Sequence, residues 1–364
     1  RAESIEAVAA RMFEAIAQPV MLNGARCQVP GSCGLARSDM RDSQGQASPS
    51  AAVLLHMADN AMYHAKKQGR HQHVWFEPPM EDEHRFRCGI EAGIRKGIPA
   101  GEFIPFYEQQ VDLQTGELTG FEVLARWNSP QFGLVKPDIF IPVAEEIGAI
   151  SVLSESVISQ ALDDARHWDP RLSLSVNISP VQLRDPWFAQ KLLKLLVAAN
   201  FPPERLEIEI TESCLHENLG LVRSLMASLK NQGIRVSLDD FGTGYSSLAQ
   251  LRTLPFDRIK IDRTFVSSLG DDQDAETVVQ AIALLGKGLG LPVTAEGIES
   301  GAILAKLREY GEIKGQGYLY GLPQPAEEVR RELARREMLV EPAARPAQPE
   351  AAQPETTALR TGTA

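Results

Sequence analysis

A set of polar side chains stands at the ends of otherwise apolar runs, where an unpaired charge would be hard to accommodate. Glu122 lies in Phe121-Glu122-Val123-Leu124, Asn177 closes Leu172-Ser173-Leu174-Ser175-Val176-Asn177, and Glu209 sits in Leu206-Glu207-Ile208-Glu209-Ile210-Thr211. Asp239 and Asp240 end Arg235-Val236-Ser237-Leu238-Asp239-Asp240, and Lys260, Glu296 and Gln316 occupy similar places further on. A charge left uncompensated in a low-dielectric interior loses several kcal/mol of solvation, so a bound cation is the economical explanation. Glu122, Glu209, Asp239, Asp240 and Glu296 with Lys260 carry a local charge near −4, which two divalent ions would roughly neutralise. Oxygen donors without Cys or His select Mg²⁺ or Mn²⁺ over Zn²⁺. Adjacent aspartates suit a two-metal site, in which one carboxylate bridges both ions. Two ions about 3.5–4 Å apart stabilise both the attacking and the leaving oxygen of an in-line displacement. The residue set therefore implies metal-dependent hydrolysis of a phosphodiester.

Each element also has a plainer reading. A single Glu or Asn in a strand is commonly a surface residue, and Asp239-Asp240 before Phe241-Gly242-Thr243 could cap a helix while also ligating. Lys260 is either a snorkelling lysine or a group that positions water and offsets negative charge beside metals. Arg126, four residues after Glu122, either pairs with a helix acid or clamps a phosphate. His71 and His73 sit beside Arg70 in a polar stretch and read as solvated. Gly286-Lys287-Gly288-Leu289-Gly290 lacks the spacing of a phosphate loop and reads as a helix C-cap.

These side chains need a scaffold that gathers strand ends. From about residue 84, strand-like runs at 103–113, 119–126, 172–178, 205–210, 235–240, 258–262, 292–296 and 314–320 alternate with helical spacing at 151–168, 186–199, 218–230, 274–288, 299–310 and 325–338. Repeated βα units predict an α/β fold, a TIM-type (β/α)8 barrel whose active site lies at the C-terminal strand ends. Only Gln114-Thr115-Gly116-Glu117 joins the first two strands, too short for a crossover helix, so the first strand is expected to be antiparallel. Residues 1–20 and 51–68 carry helical spacing, 37–50 reads as a loop, and Val74-Trp75-Phe76 before Pro78-Pro79 reads as a short strand. The Pro-, Ala- and Gln-rich stretch 339–364 reads as a disordered tail.

At 364 residues, against roughly 100–200 per domain, the chain should hold one large domain or two unequal ones. With 43% hydrophobic and 23% charged residues it has the composition of a globular protein. A formal charge of −11 has the wrong sign for gripping nucleic-acid polymers. Four scattered cysteines without a C-x-x-C pair imply no disulfide framework and a reducing, cytoplasmic setting. No run approaches the ~18–20 apolar residues of a membrane span. The chain opens at Arg1 within helix-like sequence, so a preceding sensor or membrane-anchored part is expected.

The motifs together resemble a known family. Glu122-Val123-Leu124 with Arg126-Trp127, Val176-Asn177-Ile178-Ser179, Glu209-Ile210-Thr211-Glu212-Ser213, Asp239 through Ser247, Lys260-Ile261-Asp262-Arg263, Ala295-Glu296-Gly297 and Gln316-Gly317-Tyr318 look, in that order, like the successive motifs of EAL domains over residues 84–338. The resemblance implies a cyclic di-GMP phosphodiesterase that uses Mg²⁺ or Mn²⁺ to make linear pGpG, and a homodimer. It makes Glu122, Asn177, Glu209, Asp239, Asp240 and Glu296 the metal shell and gives Lys260 and Gln316, with Glu122 and Glu296, the catalytic roles. Arg126, Gln316, Asp262 and Pro137 would bind substrate, and Glu212 would support the loop carrying Thr243, Tyr245 and Ser246. Two positions depart from the pattern. Val123 replaces the family's central Ala, and Tyr107-Glu108-Gln109 stands where Tyr-Gln-Pro is frequent, which sets a carboxylate near an anionic dinucleotide. A non-catalytic receptor for cyclic di-GMP is the competing reading, and Glu108 is its support. Separately, Ala58-Asp59-Asn60-Ala61-Met62-Tyr63-His64-Ala65-Lys66-Lys67-Gln68-Gly69-Arg70 resembles the closing helix of GGDEF domains, so residues 1–79 are expected to be an incomplete α+β GGDEF-like fragment without a cyclase site.

Overall fold

The computed structural model describes residues 2–22, 25–28, 31–39, 50–69, 72–215, 219–243 and 248–340. His71, Tyr245, Ser246 and nearly all of the tail 339–364 lie outside them. Residues 1–99 with 142–147 form one compact unit, and 100–141 with 148–364 form a second. Among the described residues no helix is long and apolar enough to cross a membrane.

In the first unit, α1 (Ala2–Ile16) is followed by the antiparallel pair β1 (Val20–Leu22) and β2 (Ala25–Cys27). Then come β3 (Cys33–Leu35), α2 (Ala51–Lys67), β4 (His73–Trp75) and α3 (Pro79–Ala100), with β3 and β4 parallel. Met57 and Ala61 of α2 bury against Phe76 and Met80, with Val53, Leu54 and Val74 around them. A Cβ at Gly34 would fall 1.7 Å from the Ala58 carbonyl oxygen, so the close seat of β3 on α2 depends on that glycine. His73, expected to be solvated, is instead half-buried in β4 with its ring stacked on Phe13. Helix α3 was not evident from the sequence because Pro78-Pro79 reads as a stop. Pro79 sits in the first turn, where its missing N–H costs nothing. Met80, Arg87, Ile90, Ile94 and Gly97 then form one buried stripe.

The second unit is a closed barrel. Its strands are β5 (Phe103–Asp112), β6 (Leu118–Ser129), β8 (Ser173–Asn177), β9 (Leu206–Thr211), β10 (Arg235–Phe241), β11 (Arg258–Ile261), β12 (Val293–Ala295) and β13 (Ile313–Gly315). Between β6 and β8 lie the short β7 (Gly133–Val135), paired with β6, and α4 (Pro137–Glu146). From β6 to β13 the barrel strands pair in parallel in chain order, and β5 closes the ring antiparallel to both β6 and β13. The expected antiparallel first strand is therefore present, and the eight strands make a TIM-type barrel. Helices α5 (Ile150–Ala165), α6 (Phe188–Ala199), α7 (Leu219–Asn231), α8 (Leu248–Thr253), α9 (Arg263–Ser267), α10 (Gln273–Leu289) and α11 (Gly301–Glu309) alternate with the strands. After β13, β14 (Gln324–Pro325) pairs with β5 and α12 (Ala326–Arg335) follows. Gly290 ends α10 at φ 68°, the left-handed C-cap that its sequence suggested.

Strand alternation explains the site. In β9, Leu206, Ile208 and Ile210 are buried on one face while Glu207 and Glu209 share the other. In β10 the apolar pair is Val236 and Leu238, with Ser237 and Asp239 opposite; in β11 it is Ile259 and Ile261, with Arg258 and Lys260 opposite. Lys260 Nζ lies 3.3 Å from Glu122 Oε2, although β11 and β6 stand on opposite sides of the ring. Only inward-pointing side chains can meet that way. The apolar faces thus look out toward the helices, and the polar faces fill the barrel.

Candidate active site

The inward layer at the C-terminal strand ends gathers the expected residues. Glu122, Glu209, Asp239, Lys260 and Gln316 are buried, Glu209 at 1% and Lys260 at 0% exposure. The Lys260 ammonium touches four carboxylates: Glu296 Oε1 at 2.5 Å, Glu209 Oε2 at 2.6 Å, Glu122 Oε2 at 3.3 Å and Asp239 Oδ1 at 3.4 Å. Glu122 also accepts from Gln316 Nε2 at 2.5 Å and from Asn177 Nδ2 at 2.6 Å. Asn177 is itself exposed at the end of β8. One carboxylate oxygen each from Asp239, Asp240 and Glu296 lies within 4.8 Å of the others.

The electrostatics follow from this crowding. Burial disfavours the charged Lys260, yet the four acids outweigh it and hold its pKa well above the lysine value. Burial also dominates at Glu209 and Glu296, whose pKa values rise well above 4.5, with neighbouring acids adding to the effect. At Glu122, burial is overcome by Lys260 and by the hydrogen bonds from Gln316 and Asn177, so its pKa is lowered. Asp240 is pushed up to about 6 by burial, Asp239 and Asp262. It adopts φ 54°, a left-handed conformation uncommon outside glycine and the kind of strain that persists where surrounding structure holds it.

All these donors are oxygens, and Glu209 Oε1 is buried without a hydrogen-bond partner. An orphaned carboxylate oxygen among further carboxylates is what a hard divalent cation would satisfy. The donor set therefore fits Mg²⁺ or Mn²⁺.

Above this floor opens a cavity of about 440 Å³. Glu122, Asp240, Glu296 and Gln316 reach it, and the expected substrate residues Arg126, Pro137 and Asp262 line it as well. Asp262 also caps α9, accepting from the Thr264 backbone N–H and its hydroxyl. Glu212 accepts from the Gly242 N–H at 3.3 Å and Thr243 Oγ1 donates to the Asp240 carbonyl at 2.9 Å, so both brace the chain after Asp240.

The sequence did not single out Lys136, Asp138 and Glu299 on the wall, and Arg263 and Tyr318, which also line it, stood in the motifs without an assigned role. Lys136-Pro137-Asp138 opens α4, a helix the sequence did not reveal, and Arg263 directly follows a residue that was singled out. Glu108 is on the wall too, directly opposite Glu122 in the β5–β6 register. Burial, with Glu122 adding to it, pushes its pKa up to about 7.

Residues 91–323 match the EAL domain. The chain belongs to the EAL-domain family. Among relatives, the "cyclic di-GMP phosphodiesterase PdeR" of Escherichia coli is 35% identical over 326 residues, covering 89% of this chain and 48% of PdeR. The "bifunctional diguanylate cyclase/cyclic di-GMP phosphodiesterase MucR" of Pseudomonas aeruginosa is 32% identical over 326 residues, covering 88% of this chain and 47% of MucR. The chain thus spans less than half of either relative. The solved structure of the PaMucR phosphodiesterase in complex with c-di-GMP superposes with a TM-score of 0.64 at 33% identity, covering 66% of this chain and 99% of that one. These similarities place the EAL domain on the barrel that carries the acidic cluster.

Proposed function

We propose that this EAL domain hydrolyses cyclic di-GMP to linear pGpG and so lowers the second-messenger level. The observation that carries the reading is the buried carboxylate cluster around Lys260, with an orphaned Glu209 oxygen, at the floor of a cavity flanked by Arg126, Lys136 and Arg263. Glu122, Asn177, Glu209, Asp239, Asp240 and Glu296 would hold two Mg²⁺ or Mn²⁺ ions, which when bound supply an activated water and neutralise charge at one phosphodiester. Lys260 stays protonated and fixes the carboxylates that face it. Gln316 orients Glu122. Arg126, Lys136 and Arg263 attract the two phosphates, while Pro137 and Tyr318 offer apolar surface to a base and Asp262 an acceptor. Glu212 and Thr243 hold the chain after Asp240. PdeR and MucR, named as cyclic di-GMP phosphodiesterases, support the activity. The c-di-GMP complex of PaMucR supports the ligand.

We extend the proposal to a homodimer in the cytoplasm, and to residues 1–79 as a GGDEF-like fragment. The parallel β3–β4 pair packed on α2 supports that fragment. A receptor that binds cyclic di-GMP without cleaving it is favoured by one observation, the Glu108 carboxylate in the cavity. Chromatography of cyclic di-GMP incubated with the protein and Mn²⁺ decides between them. Hydrolysis should yield pGpG, cease with EDTA and disappear in Glu122→Ala. Tight binding without product would install the receptor reading, and near-wild-type turnover by Glu122→Ala would sink the site assignment.

A further inference from the structure

Beneath Gln316 lies a residue to which neither the motifs nor the metal shell assign a task. Strand β5 runs opposite to its two neighbours, so its inward residues descend from Glu108 at the cavity to Gln110 under the floor. Gln110 is 7% exposed, and Ser175 and Gln316 beside it are buried more deeply still. Gln110 Nε2 donates to Gln316 Oε1 at 3.1 Å and lies 3.3 Å from Ser175 Oγ, whose hydroxyl returns toward Gln110 Oε1 at 3.5 Å. Gln316 Nε2 in turn donates to Glu122 Oε2 at 2.5 Å.

A side-chain amide has a donor end and an acceptor end of nearly equal shape, so packing alone does not choose its orientation. Here the choice matters. With Gln316 turned over, its carbonyl oxygen would face the Glu122 carboxylate, replacing a charge-assisted hydrogen bond with repulsion. The donor from Gln110 onto Gln316 Oε1 selects the productive orientation. The Ser175 hydroxyl, able to donate and accept, satisfies both ends of Gln110.

We infer that Gln110 is a positioning residue, fixing the Gln316 amide and through it the Glu122 carboxylate that a cation must find in place. The inference rests on the proposed metal-dependent reading of this site. Partners that orient metal-binding side chains typically matter by about 10–100-fold in metal affinity or activity.

The test is a mutant cycle of Gln110→Met and Gln316→Met, near-isosteric changes that delete the amides, read by calorimetric titration with Mn²⁺ and by kcat and KM for cyclic di-GMP. Gln110→Met should weaken Mn²⁺ binding about 10-fold and lower kcat similarly, with KM unmoved. Because it acts through Gln316, the double variant should be no weaker than Gln316→Met alone, whereas independent effects would multiply. Ser175→Ala removes one hydroxyl and little bulk, so it reads the same relay by a step of about 3-fold should Gln110→Met fold poorly. Unchanged Mn²⁺ affinity in Gln110→Met, or losses that multiply in the double variant, overturns the relay. Wild-type protein that binds Mn²⁺ yet releases no pGpG counts against the phosphodiesterase reading and leaves the calorimetric cycle to judge Gln110. No Mn²⁺ binding by the wild type overturns both.

Discussion

Replacing Lys260 with Met should separate stability, metal binding and turnover, because one ammonium contributes to all three. Its contacts with Glu296 and Glu209, at 2.5 and 2.6 Å, are each worth a gross Coulomb attraction of about 6 kcal/mol at an effective dielectric near 20, and much of that is offset by desolvation of the ions. The net cost of leaving buried acids without their partner is about 3–5 kcal/mol. In a unit of this size that corresponds to a fall in Tm of roughly 10 °C in EDTA. The loss should shrink as pH falls, because burial and neighbouring acids already raise Glu209 and Glu296 and protonation of either relieves the repulsion. Saturating Mn²⁺ should restore most of the loss, since added cations replace the missing charge. Mn²⁺ affinity should hold or rise. Turnover should still drop about 10–100-fold, as expected when a group that orients metal-binding side chains is removed. The assay is thermal unfolding at pH 6 and 8, with EDTA or Mn²⁺, alongside pGpG release. A Tm within about 2 °C of wild type in EDTA at pH 8 would refute the view that Lys260 is the countercharge of the cluster, since even a 1 kcal/mol loss moves Tm by about 2–4 °C.

Two further outcomes follow from the same electrostatics. Glu108→Gln should lower KM about 3–10-fold at pH 8 by removing a like charge from a site for an anionic substrate. The gain should fade at pH 6, because a carboxyl with a pKa of about 7 is then mostly neutral; equal gains at both pH values would remove the charge argument. The ion-free protein should also lose stability as pH rises. Glu108, raised to about 7, and Asp240, raised to about 6, titrate higher when folded than when unfolded, so the folded state holds more protons from the ordinary carboxylate range near 4 up to about 7, and Glu209 and Glu296 shift in the same direction. Their contribution is full below that window and declines through it. Tm in EDTA should fall from pH 5 to 7.5, while saturating Mn²⁺, which favours ionised carboxylates, reverses the slope; a Tm in EDTA that climbs across this window would contradict the raised values.

The barrel was legible because its strands announce themselves twice. Leu206, Ile208 and Ile210 fix an outward face by alternation, and that leaves Glu207 and Glu209 on the other. Turns such as Gln114–Glu117 are too short for anything but a hairpin. Helix α3 was hidden by Pro79, whose effect depends on whether it falls in a first turn or an interior one. Helix α4, with Pro142 inside it, was hidden likewise, and with it went Lys136 on the cavity wall.

Strand periodicity is local, so residue order alone determined that Glu122, Asn177, Glu209, Asp239, Lys260, Glu296 and Gln316 belong to one end of one barrel. It also determined that their charge calls for cations. Ring closure decided the rest. Lys260 meets Glu122 across the ring, 138 residues away in the chain, and Gln316 reaches the same carboxylate 194 residues from it. Which amide end faces which oxygen, and which of several acids the ammonium touches, depend on distances between strands that are not neighbours. Coulomb and hydrogen-bond energies change steeply over an ångström, and only the folded barrel sets those ångströms.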